Sequence, residues 1–278
     1  MTATARVPIP VRAPLDEARA TTNRVARTFA IACRLLPRDV RDDVYLLYLV
    51  FRSLDDLVDD GVPGAAARVA AVEAWAQGAA AETTREVSIL DGLAARHDLP
   101  REAFGAFCAG MRQDLAGQRL RTEADVDRYC YRVAGTVGVV MAALLGTRGD
   151  PARARRAAAA LGMAMQRTNI LRDIDEDLAA GRVYIAQAAL DRFGGPGAGR
   201  REALLRNQIP LADALYEQGC EGIPMLLRGR RAVAAAGGMY REILRQIERE
   251  GYGAQPGRAV VPRTRKLAVA ARAGARAR

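Results

Sequence analysis

The chain has 278 residues, 50% of them apolar and 27% charged, a balance that suits a soluble globular protein of one large domain or two small ones and excludes disorder and collagen. Its formal net charge of +10 comes from 42 basic residues, all but Lys266 arginine, against 32 acidic ones. Arginine's planar fork suits phosphate oxygens, so this charge admits nucleic acid, an anionic membrane surface or a phosphorylated small molecule, and motifs must choose among them.

Residues 1–14 carry Pro8, Pro10 and Pro14 without the continuous apolar core of a secretory signal, and they read as a flexible segment of a cytoplasmic protein. From Val44 to Val58 apolar residues return every three or four positions, the spacing of a helix face. Prolines are absent from 64–99, 101–150 and 152–195, windows rich in the helix formers Ala, Leu, Arg and Glu. No run alternates Val, Ile and Thr, which argues against a sheet and a Rossmann fold. The expected fold is all-α, with one helical domain over 15–266. The apolar stretch Val133–Gly146 has 14 residues and three glycines, short of the roughly 20 that cross a bilayer. Its small residues suit either the passage of a ligand chain between helices or close helix packing.

Gly194, Gly195, Gly197 and Gly199 surround Pro196 and read as a loop. Residues 251–278 hold seven basic and no acidic residues; 267–278 is expected to be a basic, frayed tail, and contact of the earlier part with an anionic membrane or a diphosphate is the other reading. Four cysteines without a Cys-x-x-Cys pair read as small buried side chains, and the single histidine, His97, reads as a surface residue. Chemistry must therefore rest on carboxylates, amides, hydroxyls, aromatics and arginine. Basic residues scattered among acidic ones, with no reading helix, do not fit a nucleic-acid partner.

Two acidic segments stand out. In Arg52-Ser53-Leu54-Asp55-Asp56-Leu57-Val58-Asp59-Asp60, Asp55 and Asp59 share one helix face, and so do Asp56 and Asp60. Like charges at this spacing cost roughly 0.2–0.5 kcal/mol each on an exposed helix, so the cluster needs solvent or a counter-cation. In the second segment Gln166, Asn169, Asp173 and Asp177 follow at intervals of three, four and four, an oxygen-bearing stripe on a helix anchored by Ile170, Leu171 and Ile174. Oxygen ligands without histidine or thiolate select magnesium, with manganese the alternative, and magnesium typically bridges carboxylates to substrate phosphates. A calcium-binding EF-hand loop and a glycosidase carboxylate pair fit the helical spacing less well.

Taken together with Arg27-Thr28-Phe29, Leu35-Leu36-Pro37, Gly110-Met111-Arg112-Gln113-Asp114-Leu115, Thr122-Glu123-Ala124-Asp125, the run Tyr129 to Gly138, Gly181-Arg182-Val183-Tyr184 and Glu250-Gly251-Tyr252, these segments resemble the squalene and phytoene synthase family of prenyl diphosphate enzymes. The resemblance implies an isoprenoid synthase bundle around a central cavity, with the two acidic helices opposed at its mouth. It implies magnesium on Asp55, Asp59, Asp173 and Asp177, with Asn169 as a further ligand and Gln166 contacting the metal-bound diphosphate. Thr28, Arg52, Arg172 and Arg182 are the implied diphosphate contacts. Phe29, Tyr48, Phe51, Tyr129, Val133, Val137 and Leu161 are candidates for the cavity wall, and Tyr129 and Tyr252 for hydroxyl donors. Asp114, close to Arg112, Arg119 and Arg121, is open between a salt bridge and a site role.

The implied reaction joins two allylic prenyl diphosphates head to head through a cyclopropyl diphosphate. Transfer of one prenyl group to an aromatic acceptor is the alternative. Two departures keep that alternative open: Ala26 stands where related synthases often have serine, and Ile185-Ala186 follows Tyr184 in place of the common Leu-Pro. NADPH is not expected, since no dinucleotide fingerprint is present.

Overall fold

The computed structural model describes residues 12–277. The flexible segment expected at 1–14 lies outside this range up to residue 11, and residues 12–14 open the first helix. The helices are α1 (Arg12–Val25), α2 (Arg27–Cys33), α3 (Arg38–Asp59), α4 (Ala65–Ala76), α5 (Arg85–Ala94), α6 (Arg101–Leu115) and α7 (Glu123–Cys130). After a π-helical turn at Tyr131–Gly135 come α8 (Thr136–Leu145), α9 (Pro151–Arg172), α10 (Ile174–Ala179), α11 (Gln187–Phe193), α12 (Glu202–Cys220), α13 (Arg230–Arg249) and α14 (Arg263–Arg276). Among the described residues there is no strand, only an isolated antiparallel bridge between Thr147 and Leu226.

Local chemistry sets several of these boundaries. α7 starts on a capping box in which Thr122 and Asp125 satisfy each other's backbone N–H, and α9 starts on Asp150, whose side chain accepts from the Ala152 N–H, with Pro151 in the first turn. The α3 helix has two faces. Leu47, Val50, Phe51, Leu54 and Val58 are buried, while Tyr48, Arg52, Asp55 and Asp59 form a less buried stripe at helical spacing. Phe51 stacks on Phe104 at 5.4 Å and meets Phe107 edge-on at 4.8 Å, and Trp75 meets Phe104 edge-on at 5.2 Å. Full burial of such a ring is worth about 2–3 kcal/mol, so this cluster fastens α3 to α4 and α6.

Glycines decide how α9 lies against the π-turn and α8. A Cβ on Gly138 would fall 2.2 Å from the Ala158 carbonyl oxygen, and one on Gly162 would fall 2.2 Å from that of Ala134. The small residues of Val133–Gly146 therefore serve close helix packing. On its other side α9 is tied by Arg167, which is 4% exposed and donates to Asp127, Glu123 and Gln208, linking α7, α9 and α12.

Two expectations change. The stretch after 262 is the helix α14 rather than a frayed tail: Ala270 is buried, and Val269 and Ala273 lie so near Gly238 of α13 that an added Cβ would sit 3.2–3.3 Å from them. His97 is pinned rather than free on the surface, its Nε2 2.7 Å from Asp43 Oδ2, while Arg96 binds the other oxygen of the same carboxylate across the α3 and α5 ends. Of the cysteines, Cys33, Cys108 and Cys130 are buried as expected and Cys220 is exposed. No described helix is long and apolar enough to cross a membrane.

Candidate active site

The outward stripe of α3 presents Arg52, Asp55 and Asp59 in succession. Arg52 donates to Asp55 at 3.0 Å and pairs with Asp56 through its second nitrogen. Asp59 accepts from Arg182, which arrives after α10, at 2.9 Å. Burial, together with the charges of Asp59 and Asp56, pushes the Asp55 carboxyl up to about 6, although 40% of its side-chain surface is accessible.

The second stripe is carried by α9 and α10. The helix expected to run unbroken from Gln166 to Asp177 is interrupted at Asp173, which has φ −103° and ψ 16°. Register survives the break, because Asp173 N–H donates to the Asn169 carbonyl and Asp177 N–H to the Asp173 carbonyl, both at 2.9 Å. Gln166, Asn169, Asp173 and Asp177 thus remain on one side. Asn169 donates to Gln166 at 3.3 Å, but its own Oδ1 is buried without a partner. Arg172 grips Asp173 with two bonds of 2.6 and 2.5 Å.

The two stripes face each other. Asp177 is pushed up to about 6 by burial, by Asp173 on its own stripe and by Asp59 on the other. Asp59 is raised by burial against the pull of Arg182 and Arg52. Among the described residues no three acidic, histidine or cysteine side chains converge closely enough to hold an ion by themselves, so the opposed carboxylates do not form the ready-made cluster their spacing suggests. The donor set still fits a hard divalent cation: all-oxygen, with an unpartnered buried Asn169 Oδ1 and raised carboxylates on both sides. Magnesium commonly takes only one or two carboxylates and completes its shell on substrate phosphate, which suits a divided site.

Cations gather beside both stripes. Arg52 and Arg182 stand on the α3 side. On the α10 side Arg258 lies 2.9 Å from Asp173 and 3.6 Å from Glu176, and Lys266 donates to the Thr28 hydroxyl at 3.2 Å. Burial and the charges of Arg172, Arg258 and Arg27 lower the Lys266 pKa, so four cations crowd one another there.

Of the side chains expected to form an apolar wall, Phe29, Tyr48, Val133 and Val137 are half-buried. Phe29 and Tyr48 pack with ring centroids 5.0 Å apart; Val133 lies in the π-turn and Val137 in the first turn of α8, Val133 touching both main cores. Three expected wall or site residues are placed otherwise. Phe51 belongs to the aromatic core already described, and Leu161 packs against Gly219 and Gly237 of α12 and α13. Tyr252 sits in an outer groove of about 520 Å³ between α12 and α13, its ring under Arg206 at 4.0 Å and its hydroxyl accepting from Arg206 at 3.1 Å. No aspartate of either stripe lines that groove. Asp114 likewise forms no salt bridge with Arg112, which pairs with Glu73 instead; it accepts from the Tyr129 hydroxyl at 3.2 Å.

Two residues were missed in the sequence. Tyr240 on α13 lies near enough to Tyr48, Arg172 and the buried Tyr216 to affect each electrostatically, and Arg258 reaches Asp173 from the loop after α13. That loop is held by Arg201, which is 4% exposed and bidentate to Asp175 at 2.7 and 2.8 Å, while the Gly257 N–H donates to the same carboxylate at 2.7 Å. The signal for Arg258 was present in the acid-free run from 251; Tyr240 left no local pattern.

The sequence profile described as squalene/phytoene synthase matches residues 22–265. The chain belongs to the squalene/phytoene synthase family. Within that family it is similar to the 15-cis-phytoene synthase of Synechococcus elongatus, at 35% identity over 91% of this chain and 89% of that protein. It is also similar to the phytoene synthase of Thermus thermophilus, at 40% identity over 81% and 80%. A crystal structure of a dehydrosqualene synthase in complex with ligand superposes with a TM-score of 0.85 at 26% identity, covering 96% of this chain and 97% of that one. A squalene synthase from Alicyclobacillus acidocaldarius superposes at 0.75, with 26% identity and coverage of 90% and 98%. The squalene/phytoene synthase family member described here is thus an all-α, prenyl-transferring enzyme.

Proposed function

We propose that this enzyme couples two allylic prenyl diphosphates head to head in a magnesium-dependent reaction. The observation that carries this reading is the doubling of the cationic apparatus: Arg52 and Arg182 on one acidic stripe, and Arg172, Arg258, Arg27 and Lys266 on the other. Two diphosphates in one cavity need two such sets. The Synechococcus and Thermus relatives are phytoene synthases, which gives the aromatic-acceptor alternative no support.

Asp55, Asp59, Asp173 and Asp177, with the free Oδ1 of Asn169, would hold the ions. Ions held by these residues would supply positive charge to the diphosphate leaving group. The chain's own residues do the rest. Arg52, Arg172, Arg182 and Arg258 exchange carboxylate for phosphate and stabilise the departing charge, and Lys266 and Thr28 orient a diphosphate end. Phe29, Tyr48, Val133 and Val137 exclude water from the allylic cation, and the ring faces stabilise it.

The test is incubation of the purified protein with geranyl, farnesyl or geranylgeranyl diphosphate and magnesium, with released diphosphate measured alongside product mass. The expected result is a hydrocarbon of twice the donor's carbon number, two diphosphates per product and no turnover in EDTA. Equal turnover in EDTA, or a prenylated aromatic as the only product when acceptors are supplied, refutes the proposal.

A further inference from the structure

Head-to-head coupling without an external reductant leaves a charge to dispose of. One proton leaves as the cyclopropane of the intermediate closes; once the second diphosphate has also departed, the joined chain is again a cation, and it becomes a neutral hydrocarbon only by losing a second proton. The residues proposed to hold metal are poor acceptors, because their oxygens are committed. A different carboxylate lies at the cleft. Asp114 near the end of α6 accepts from the Tyr129 hydroxyl of α7 at 3.2 Å, and the Tyr184 hydroxyl is its second partner. The two phenol rings stack at 5.1 Å and 17°. Tyr129 is 4% exposed, and it feels the charge of Asp55 as well as that of Asp114, so the pair adjoins the α3 stripe.

Among the described residues Asp114 has no ion pair, unlike Asp55, Asp59 and Asp173. A carboxylate desolvated without a cation costs stability, and a hydrogen-bonded relay to the cleft gives it a use. We propose that Asp114, through Tyr129, receives the proton that the coupled prenyl cation must lose. This rests on the head-to-head reading above. The step balances as follows. Tyr129 Oη takes a proton from the carbon beside the cationic centre, its own proton passes to Asp114 Oδ2, and the C–H electron pair becomes the new C=C bond. The positive charge on the chain is cancelled by the carboxylate charge, and Asp114 returns the proton to water between turnovers. Asp114 is then a positioning residue for Tyr129 and the end of the relay.

The groups facing Asp114 agree with this. Burial pushes its carboxyl up to about 7, Asp59 and Asp55 add to the rise, the Tyr129 and Tyr184 hydroxyls oppose it, and Arg182 is the nearby cation.

The test compares wild type, Asp114→Asn and Asp114→Glu on a prenyl diphosphate with magnesium, quantifying diphosphate and all prenyl products, with circular dichroism and melting as controls of folding. Asp114→Asn is expected to release diphosphate within about threefold of wild type while hydrocarbon per diphosphate falls about 10²-fold and prenyl alcohols from water capture replace it. Asp114→Glu is expected to restore hydrocarbon. An unchanged hydrocarbon fraction in Asp114→Asn overturns the proposal, and so does a joint loss of diphosphate release and hydrocarbon that Asp114→Glu fails to rescue. A wild type that releases diphosphate but makes no coupled product overturns the head-to-head reading itself, which the variants alone cannot do.

Discussion

Replacing Asp55 with asparagine keeps the side chain's shape and removes a charge that the fold holds at a cost. Burial and neighbouring aspartates raise its carboxyl from 3.8 to about 6, a shift of about 2 pH units that is nominally about 3 kcal/mol. Because 40% of the side-chain surface is accessible, solvent screening reduces this to about 1 kcal/mol. Arg52 loses one partner but retains Asp56. Metal-free Asp55→Asn should therefore melt about 2–4 °C above wild type at neutral pH. Magnesium with a diphosphate should reverse the order, since ligand binding to the folded state stabilises wild type and much less the variant. Turnover, read as diphosphate release, should fall about 10³-fold, because the variant loses charge stabilisation of the leaving group. Differential scanning in EDTA and in magnesium diphosphate measures the first two effects on one sample. A variant that melts below wild type in EDTA, or that keeps wild-type turnover, refutes the account of the cleft as strained for function.

Three further outcomes follow from the packing and the charges. Gly162→Ala should lower stability by about 3 kcal/mol or prevent folding, since its Cβ would meet the Ala134 carbonyl at 2.2 Å; Gly105→Ala, with nothing within 4 Å, should raise stability by up to about 1 kcal/mol in the same urea titration. Arg167→Ala should cost about 2 kcal/mol in urea unfolding, because it removes a buried guanidinium whose bonds to Asp127, Glu123 and Gln208 join α7, α9 and α12, while Gln208 keeps its bond to Glu123. Melting of the metal-free protein should fall as pH rises from 5 to 8. Asp55 and Asp177 near 6 and Asp114 near 7 keep protons that the unfolded chain gives up near 4, so their contribution is full at low pH and is lost through 6 to 7; a flat or rising profile contradicts this.

The helical class and both acidic stripes were legible because they are local: a spacing of four puts Asp55 with Asp59, and Asp173 with Asp177, whatever the tertiary fold does. Even the break at Asp173 left that register intact. What depends on neighbouring helices was less legible. Tyr48 and Phe51 are three positions apart and equally aromatic, yet one packs on Phe29 by the cleft and the other on Phe104 in the core, a choice made by α4 and α6. Tyr252 was favoured for its place in a family motif, but it lies under Arg206 in the groove between α12 and α13. Arg258 reaches the site only because Arg201 and the Gly257 N–H tie its loop to Asp175, a contact spanning 82 residues.

The least legible feature was how the charges are shared. Read along the chain, the aspartates ask for a metal and the arginines for a phosphate. Folded, they answer each other: Asp55 and Asp56 hold Arg52, Asp59 holds Arg182, and Asp173 holds both Arg172 and Arg258. The pairs of Arg52 and Arg182 are between about one third and two fifths exposed, so each contributes little to stability and separates at small cost. A cation alone would free the arginines with nothing to bind, and a diphosphate alone would leave the carboxylates facing one another. A diphosphate carrying divalent ions satisfies both sets in one exchange. The site is therefore matched to the complex rather than to either component, and the same exchange that admits the substrate places guanidinium groups where negative charge grows during ionisation.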